Sequence, residues 1–310
     1  MAVLVTGGTG FIGSYTLRAL VDKGEKPTAY DLVPDLSLIG DIADKVEVVR
    51  GDILDLPNLL RTIKESDVDR IVHLAYMMMD AAEANPYKGM EVNILGTNNV
   101  FEAARILDLE RVVWASSAAV YGSAKEYGGT SVPVNEDSSV KIGTASVYGA
   151  CKILNEFTAE FYSERYGLDL IGIRPTVIYG PGRVRGGTAF ASRLIEDPAR
   201  GKPVKIPYSS PQEHDWMYVK DTANAFVTAC FAGKPKHIVF NVGGETRTIG
   251  EAVSYVKEFI PDADITLGDI TLGWVSRYDT TRVSKELGFK PQYSLKDGIS
   301  NFISTVRQKG

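Results

Sequence analysis

The chain has only two cysteines, Cys151 and Cys230, and three histidines among 310 residues. That scarcity leaves no spacing for a disulfide framework or a Cys/His metal centre, so no metal is expected. No apolar run approaches the roughly 20 residues of a membrane span. The chain enters an apolar strand directly, without the basic start of a signal peptide. Positive charge is short as well: 34 Lys and Arg against 39 Asp and Glu give a net charge of −5. Nothing in that balance attracts nucleic acid or an anionic membrane. Low-complexity stretches, repeats and Gly/Ser linkers are missing too. The expectation is a cytoplasmic protein with reduced thiols that acts on a small molecule.

What is present begins at residue 2. Ala2 to Val5 is a short apolar run suited to a strand buried on both faces of a parallel sheet. Thr6 to Gly13 follows, with Gly7, Gly10 and Gly13 spaced Gly-x-x-Gly-x-x-Gly ahead of a helix from Ser14 to Lys23. Glycines between a buried strand and a helix permit a tight turn and close approach of backbone to a pyrophosphate. The helix N-terminus then presents N–H groups and a positive dipole end to it. Gly7, Gly10, Phe11, Ile12 and Gly13 are therefore candidate cofactor residues. A second strand, Pro27 to Tyr30, ends in Asp31. A carboxylate there can accept hydrogen bonds from the adenosine ribose hydroxyls and repels a 2′-phosphate, which favours NAD over NADP. Strands at Val46 to Val49 and Ile71 to Ala75 place Asp52 and Ile53 near the adenine, and Leu74 and Ala75 along the cofactor's path. His73 is expected to be a satisfied core histidine.

A long amphipathic helix is predicted over 86–108 from the spacing of Met90, Ile94, Val100, Phe101 and Ala104. Asn93 lies inside it and is expected to hold a water or a backbone carbonyl behind the reaction centre. The fifth strand, Arg111 to Ala115, opens into Ser116 and Ser117, and ligands of open parallel sheets bind beyond the carboxyl ends of their strands. After a polar loop over 123–144 comes a helix from Tyr148 to about Tyr166. Tyr148 and Lys152 are four residues apart, on one helical face. An ammonium beside a phenol lowers the phenol's pKa from about 10 and suits it to acid–base work. A sixth strand, Asp169 to Ile173, ends in Arg174-Pro175, with Pro175 turning the chain over the nicotinamide. Later pieces are read as helices at 188–200, 219–231, 251–259, 281–287 and 295–306, and strands at 201–208 and 238–241.

These motifs in this order resemble the extended short-chain dehydrogenase/reductase family, in its NAD-dependent epimerase/dehydratase branch. The resemblance rests on TGGTGFIG at 6–13, GDI at 51–53, HLA at 73–75, NILGT at 93–97, SSAAVYG at 116–122, YGACK at 148–152, RPTVIYGPG at 174–182, YVKD at 218–221, FNVGG at 240–244 and ELGFKP at 286–291. It implies an α/β architecture, a Rossmann-type doubly wound parallel sheet with a smaller C-terminal α/β lobe. Residues 1–175, completed by about 218–242, would hold NAD; 176–217 and 243–310 would hold the substrate. It also implies a catalytic Ser117, Tyr148 and Lys152. A homodimer built as a four-helix bundle from the helices at 86–108 and 146–166 is a further implication.

The departures narrow the chemistry. Dehydratases of the family carry Asp-Glu after the active-site hydroxyl, where this chain has Ala118 and Ala119, so water loss is rejected. Residues that pair with a nucleotide diphosphate in family epimerases are replaced by Val177, by His214 and by Thr271 to Trp274. Each missing charge-assisted contact is worth about 1.5–3 kcal/mol. Arg183, Arg185 and Arg277 are the substitutes available, and the segment Tyr76, Met77, Met78 and Met79 is a candidate cavity wall. The expected function is an NAD-dependent dehydrogenase for a secondary alcohol of a small polar, sugar-derived substrate held by Met77, Ser117, Ala118, Val177, Arg183, Arg185 and His214. A sugar-nucleotide 4-epimerase is the alternative. An idle NAD-binding protein is the third reading, and the intact Ser117, Tyr148 and Lys152 argue against it.

Overall fold

The computed structural model describes residues 2–138, 140 and 146–309; the part of the expected polar loop at 139 and 141–144 lies outside them. Strands β1 (Val3–Thr6), β2 (Thr28–Asp31), β3 (Glu47–Arg50), β4 (Arg70–His73), β5 (Arg111–Ala115), β6 (Leu170–Pro175) and, later in the chain, β10 (Val239–Val242) form one seven-stranded sheet. Its order is β10-β6-β5-β4-β1-β2-β3, and every pairing is parallel. β1, β5 and β6 are buried along their whole length, as expected of strands covered on both faces.

Helices cover both faces. α1 (Phe11–Asp22) and α8 (Val219–Phe231) pack Leu17, Leu20 and Phe226 on one side. α2 (Leu56–Glu65), α5 (Thr97–Ile106) and α6 (Val147–Tyr166) pack Leu59, Phe101 and Ala159 on the other. The long helix predicted over 86–108 is broken. Short helices α3 (Met79–Ala84) and α4 (Pro86–Met90) lead into a π-helical segment, Glu91–Gly96, and only then into α5. The widened π turn releases the Asn93 carbonyl to accept from Asn155 Nδ2 on α6 at 2.8 Å.

A separate core gathers the remaining elements. β7 (Val177–Tyr179), β9 (Glu213–Tyr218) and β11 (Glu245–Thr248) form a three-stranded sheet, and β8 (Val204–Tyr208) pairs with β12 (Ile265–Ile270). α7 (Phe190–Ala199), α9 (Ile249–Phe259) and α11 (Leu295–Lys309) pack against them through Leu194, Val256 and Phe302. α10 (Thr281–Leu287) instead returns Val283 and Leu287 to the main core. The sequence reading takes 179–182 as loop and assigns no strand at 213–218, 245–248 or 265–270. β7 follows β6 after the single residue Thr176, too close to separate by pattern. Buried His214 and Asp215 interrupt the apolar signal of β9.

Candidate active site and cofactor cleft

The carboxyl ends of β1, β4, β5 and β6 meet at one rim. Gly7 turns there with φ +65°, and a Cβ on it would lie 2.9 Å from the Ala75 backbone nitrogen. A Cβ on Gly13 would run into the Gly7 carbonyl oxygen. The loop thus hugs both the end of β4 and the first turn of α1, and only hydrogen side chains fit. Gly10 is the N-cap of α1 and supplies no side-chain cap, which leaves that end to a ligand anion. Asp31 accepts from the Thr9 amide at 3.1 Å and the Thr9 hydroxyl at 2.8 Å, so the second strand's carboxylate is pinned beside the glycine turn. Asp52 closes its own turn by accepting from the Leu54 amide at 2.9 Å, and Ile53 is buried beneath Gly96. Phe11, Ile12 and Leu74 complete the same neighbourhood, with the Leu74 amide donating to the Thr6 carbonyl. This glycine cradle, helix end and ribose-side carboxylate fit a dinucleotide.

Asn93 does not reach the cleft itself. Fully buried, it clamps the backbone of Met77, donating to its carbonyl at 3.0 Å and accepting from its amide at 2.7 Å. The backbone-carbonyl role expected for it is the one observed. His73 is held between the Thr6 and Thr97 hydroxyls, and burial pushes its pKa down to about 3.

The candidate reaction centre lies where β5 and α6 converge. Ser117 caps a short 3-10 turn, its oxygen accepting from the Ala119 amide at 3.1 Å, and it faces the same cavity as Tyr148. Ser116 points the other way and donates to Glu156 at 2.5 Å. Lys152 is 2% exposed and donates to the Ala115 carbonyl at 2.6 Å. Its ammonium sits 3.9 Å from the centroid of the Tyr76 ring and 5.4 Å from that of Tyr148.

The charge states differ from the sequence expectation. Burial pushes the Tyr148 phenol well above its ordinary range, and Tyr76 adds to this, while Ser117 and Arg183 oppose it. Burial also pulls Lys152 down to about 7. The simple picture of an ammonium lowering its neighbour's pKa is corrected: both groups are desolvated, and desolvation disfavours charge on each.

A cavity of about 460 Å³ opens from this centre, within the size range of small-molecule sites. Ser116, Ser117, Ala118, Tyr148, Pro175, Val177, Arg183 and His214 line it. Two expected residues are not in its wall. Met77 is fixed through its backbone by Asn93, and Met78 and Met79 face the cavity instead. Arg185 is exposed, two residues beyond Arg183 on the same loop. Arg277 is engaged with Glu213 in a bidentate pair. Tyr76, from the expected wall segment 76–79, faces the cavity, and sequence reasoning missed Thr188, Trp274 and Tyr278. The last three come from two segments that no motif links.

Two buried nitrogens in the wall have no partner, Arg183 Nε and His214 Nε2. Arg183 Nη1 donates to the Ile178 carbonyl and Nη2 to the Thr188 hydroxyl at 2.7 Å. Burial lowers its pKa, which Tyr76 and Tyr148 counteract. His214 lies against Phe190 and Trp216, and burial pulls it down to about 4, so it is neutral at pH 7. No carboxylate is among the described residues of the wall.

Comparison with known proteins agrees with this arrangement. The chain is 31% identical to a UDP-glucose 4-epimerase of Mycolicibacterium smegmatis over 328 residues, covering 100% of this chain and 99% of that protein. It is 32% identical to a D-erythronate dehydrogenase of Cupriavidus necator over 231 residues, 70% of this chain and 68% of that one. Among solved structures, MoeE5 in complex with UDP-glucuronic acid and NAD aligns with a TM-score of 0.83 at 29% identity, covering 100% of both chains. The NAD dependent epimerase/dehydratase family matches residues 3–243. The cofactor is NAD, and the chain belongs to the NAD dependent epimerase/dehydratase family of enzymes.

Proposed function

We propose that this enzyme is a sugar-nucleotide 4-epimerase that oxidises a secondary alcohol and returns the hydride to the opposite face. This reverses the order of the two readings drawn from the sequence. The carrying observation is a cavity lined by Ser117 and Tyr148, with the buried Lys152 ammonium 5.4 Å from the centroid of the Tyr148 ring, and without any carboxylate among the described wall residues. Hydride transfer needs only such a phenol base and hydroxyl donor, whereas elimination of water needs an acid–base carboxylate that Ala118 and Ala119 do not supply. The full-length likeness to a UDP-glucose 4-epimerase supports the substrate class.

NAD, when bound, supplies the hydride acceptor and later the donor. Gly7, Gly10, Phe11, Ile12 and Gly13 would hold its pyrophosphate, Asp31 its ribose, Asp52 and Ile53 its adenine. Leu74, Ala75, Ser116 and Pro175 would line its course, with Asn93 acting through the Met77 backbone. The positive charge of a bound nicotinamide favours the phenolate. Tyr148 takes the substrate's hydroxyl proton, Ser117 donates to the same oxygen, and Lys152 steadies the phenolate and the nicotinamide ribose. After the ketone turns over in the cavity, Tyr148 returns the proton. Residues 1–175 with 218–242 form the NAD lobe of this scheme, and 176–217 with 243–310 form the substrate lobe.

A second reading, the dehydrogenase of a small sugar-derived molecule, is favoured by one observation. Arg183 is the one described cationic residue in the cavity wall besides neutral-leaning His214, and both its terminal nitrogens are engaged. That is thin support for a diphosphate.

The NAD-loaded protein with UDP-glucose separates the two. Inversion to UDP-galactose without accumulating NADH supports the epimerase. NADH accumulating with a free sugar or sugar acid, and no inversion, supports the dehydrogenase. Neither signal across both panels defeats both.

The enzyme would act as a homodimer in the cytoplasm. Leu154, Phe157 and Phe161 expose one apolar stripe along α6, and Leu95 and Ile106 lie exposed on the neighbouring π segment and α5. Phe157 is 66% exposed, an apolar surface that a second copy would cover. No helix among the described residues is long and apolar enough to cross a membrane.

A further inference from the structure

α1 faces two cores at once. Leu17 and Leu20 are buried in the core of the main sheet, whereas Phe11, Ile12 and Tyr15 pack against the core of the smaller lobe. Tyr15 is partly buried, and its hydroxyl donates to the Pro181 carbonyl at 3.1 Å, 166 residues further along the chain. Burial pushes its pKa up to about 12, so the phenol keeps its proton to donate throughout the neutral range. Its ring meets that of Phe11 edge-on, with centroids 6.1 Å apart and planes at 78°, and the Arg18 guanidinium lies 5.6 Å from its centroid.

Pro181 opens the loop that brings Arg183 into the cavity wall. Arg183 closes that loop on itself, donating to the Ile178 carbonyl at one end and the Thr188 hydroxyl at the other. The Arg183 guanidinium also lies 5.9 Å from the centroid of the Phe11 ring. A Cβ on Gly182, where φ is +93°, would lie 3.1 Å from Leu38 Cδ2, and the Leu38 carbonyl in turn accepts from Arg18 of α1. The loop after β7 is therefore seated on the first two turns of α1, beside the end left uncapped for a ligand anion. Because Arg183 spans the loop, a displacement of Pro181 carries the guanidinium with it.

We infer that Tyr15 is a positioning residue that ties the substrate wall to the cofactor helix. By donating to Pro181 it holds the loop, Arg183 included, against the turn of α1 that would receive the pyrophosphate. A loop released from Tyr15 spends less time in the position that meets a substrate. The reacting groups are spared, since Ser117 follows β5 and both Tyr148 and Lys152 stand on α6. Loss of the Tyr15 hydroxyl is therefore felt in substrate binding and not in the chemical step, which is the signature of a lost uniform-binding contact.

The inference rests on the sugar-nucleotide reading only for the ligand that the wall meets, and its test is split accordingly. Tyr15→Phe removes the hydroxyl and keeps the ring between Phe11 and Arg18. Hydrogen exchange followed by mass spectrometry on the NAD-loaded protein reads the loop without any substrate. In segment 180–189 the Arg183 amide donates to the Gly180 carbonyl and the Ala189 amide to that of Gly186. This segment is expected to exchange about fivefold faster than in wild type, the factor set by one net hydrogen bond. Segments of β1, α8 and β10 are expected to overlay. With UDP-glucose as the turned-over substrate, KM is expected to rise about fivefold while kcat changes less than about twofold. Exchange of 180–189 that overlays the wild type overturns the inference, and so does faster exchange in every segment, which marks a general loss of stability. A fall in kcat with KM unchanged overturns it as well. A loop that alone exchanges faster, in a protein inert toward UDP-glucose, leaves the inference standing and counts against the epimerase reading alone.

Discussion

Arg174 is the residue whose loss should most clearly expose how the reaction centre is supported. Its Nε and Nη2 donate to the two carboxylate oxygens of Glu156 at 2.7 and 2.6 Å, and its Nη1 donates to the Tyr121 hydroxyl at 2.8 Å. The two side chains are 5% and 9% exposed, so the pair is a desolvated one. Arg174→Met would leave the Glu156 carboxylate buried with the Ser116 hydroxyl as its remaining hydrogen-bond partner. Breaking one side of such a pair costs about 3–5 kcal/mol, far more than the pair contributes over an apolar replacement. At an unfolding entropy of roughly 0.65 kcal/mol/K for a chain of this length, that is a fall of about 5–8 °C in Tm. Arg174→Met combined with Glu156→Leu removes the stranded charge and should recover most of the loss. Thermal unfolding of wild type, both single variants and the double variant, followed by circular dichroism, gives the cycle. An Arg174→Met protein within 1 °C of wild type, or a double variant no more stable than it, would refute the reasoning. Because Ser116 adjoins Ser117, the single variant should also lose activity beyond what its stability explains.

Three other outcomes follow from the geometry. Asp31→Ala should lower the preference for NAD over NADP by about tenfold or more, as expected for a lost charged hydrogen bond, and equal binding ratios by calorimetry would count against the ribose role. Stability should fall between pH 6.5 and 4: His73 and His214 have folded pKa values of about 3 and 4, so in that window the unfolded chain binds protons that the fold excludes, and the contribution is intact above 6.5. His214→Gln should remove about 3 kcal/mol of that dependence, and an unfolding free energy with the same pH slope as wild type would contradict it. Phe157→Glu with Phe161→Glu should give a monomer by light scattering with the circular dichroism of the wild type, and a dimer that persists would move the interface elsewhere.

The NAD half of this protein was legible because strand, glycine turn and helix follow one another in sequence. Gly7, Gly10, Gly13 and Asp31 are local to that unit, so spacing alone located them. Tyr148 and Lys152 were equally readable as neighbours on one helix. Their charge states were not, since desolvation by β5 and by Tyr76 is a property of the packed site. The break at Glu91–Gly96 was hidden for a different reason: a π turn keeps the apolar spacing of a helix while shifting it by one residue. Arg185 and Met77 show the limit from the other side. Each has the right chemistry in the right segment, yet a shift of one or two positions along an irregular chain decides which side chain faces the cavity. Trp274 and Tyr278 enter the wall from a segment near the C-terminus, a convergence that only the folded lobe creates.

α6 carries Tyr148, Lys152, Asn155 and Glu156 on its inner side, and Leu154, Phe157 and Phe161 on its outer side. The candidate catalytic groups and the exposed apolar stripe are thus built into opposite flanks of a single helix. Whatever seals the outer flank also limits how far that helix can tilt, and with it the distance between the Tyr148 oxygen and the rim of the sheet. If a second copy seals that flank, its docking should be felt as precision at the reacting carbon.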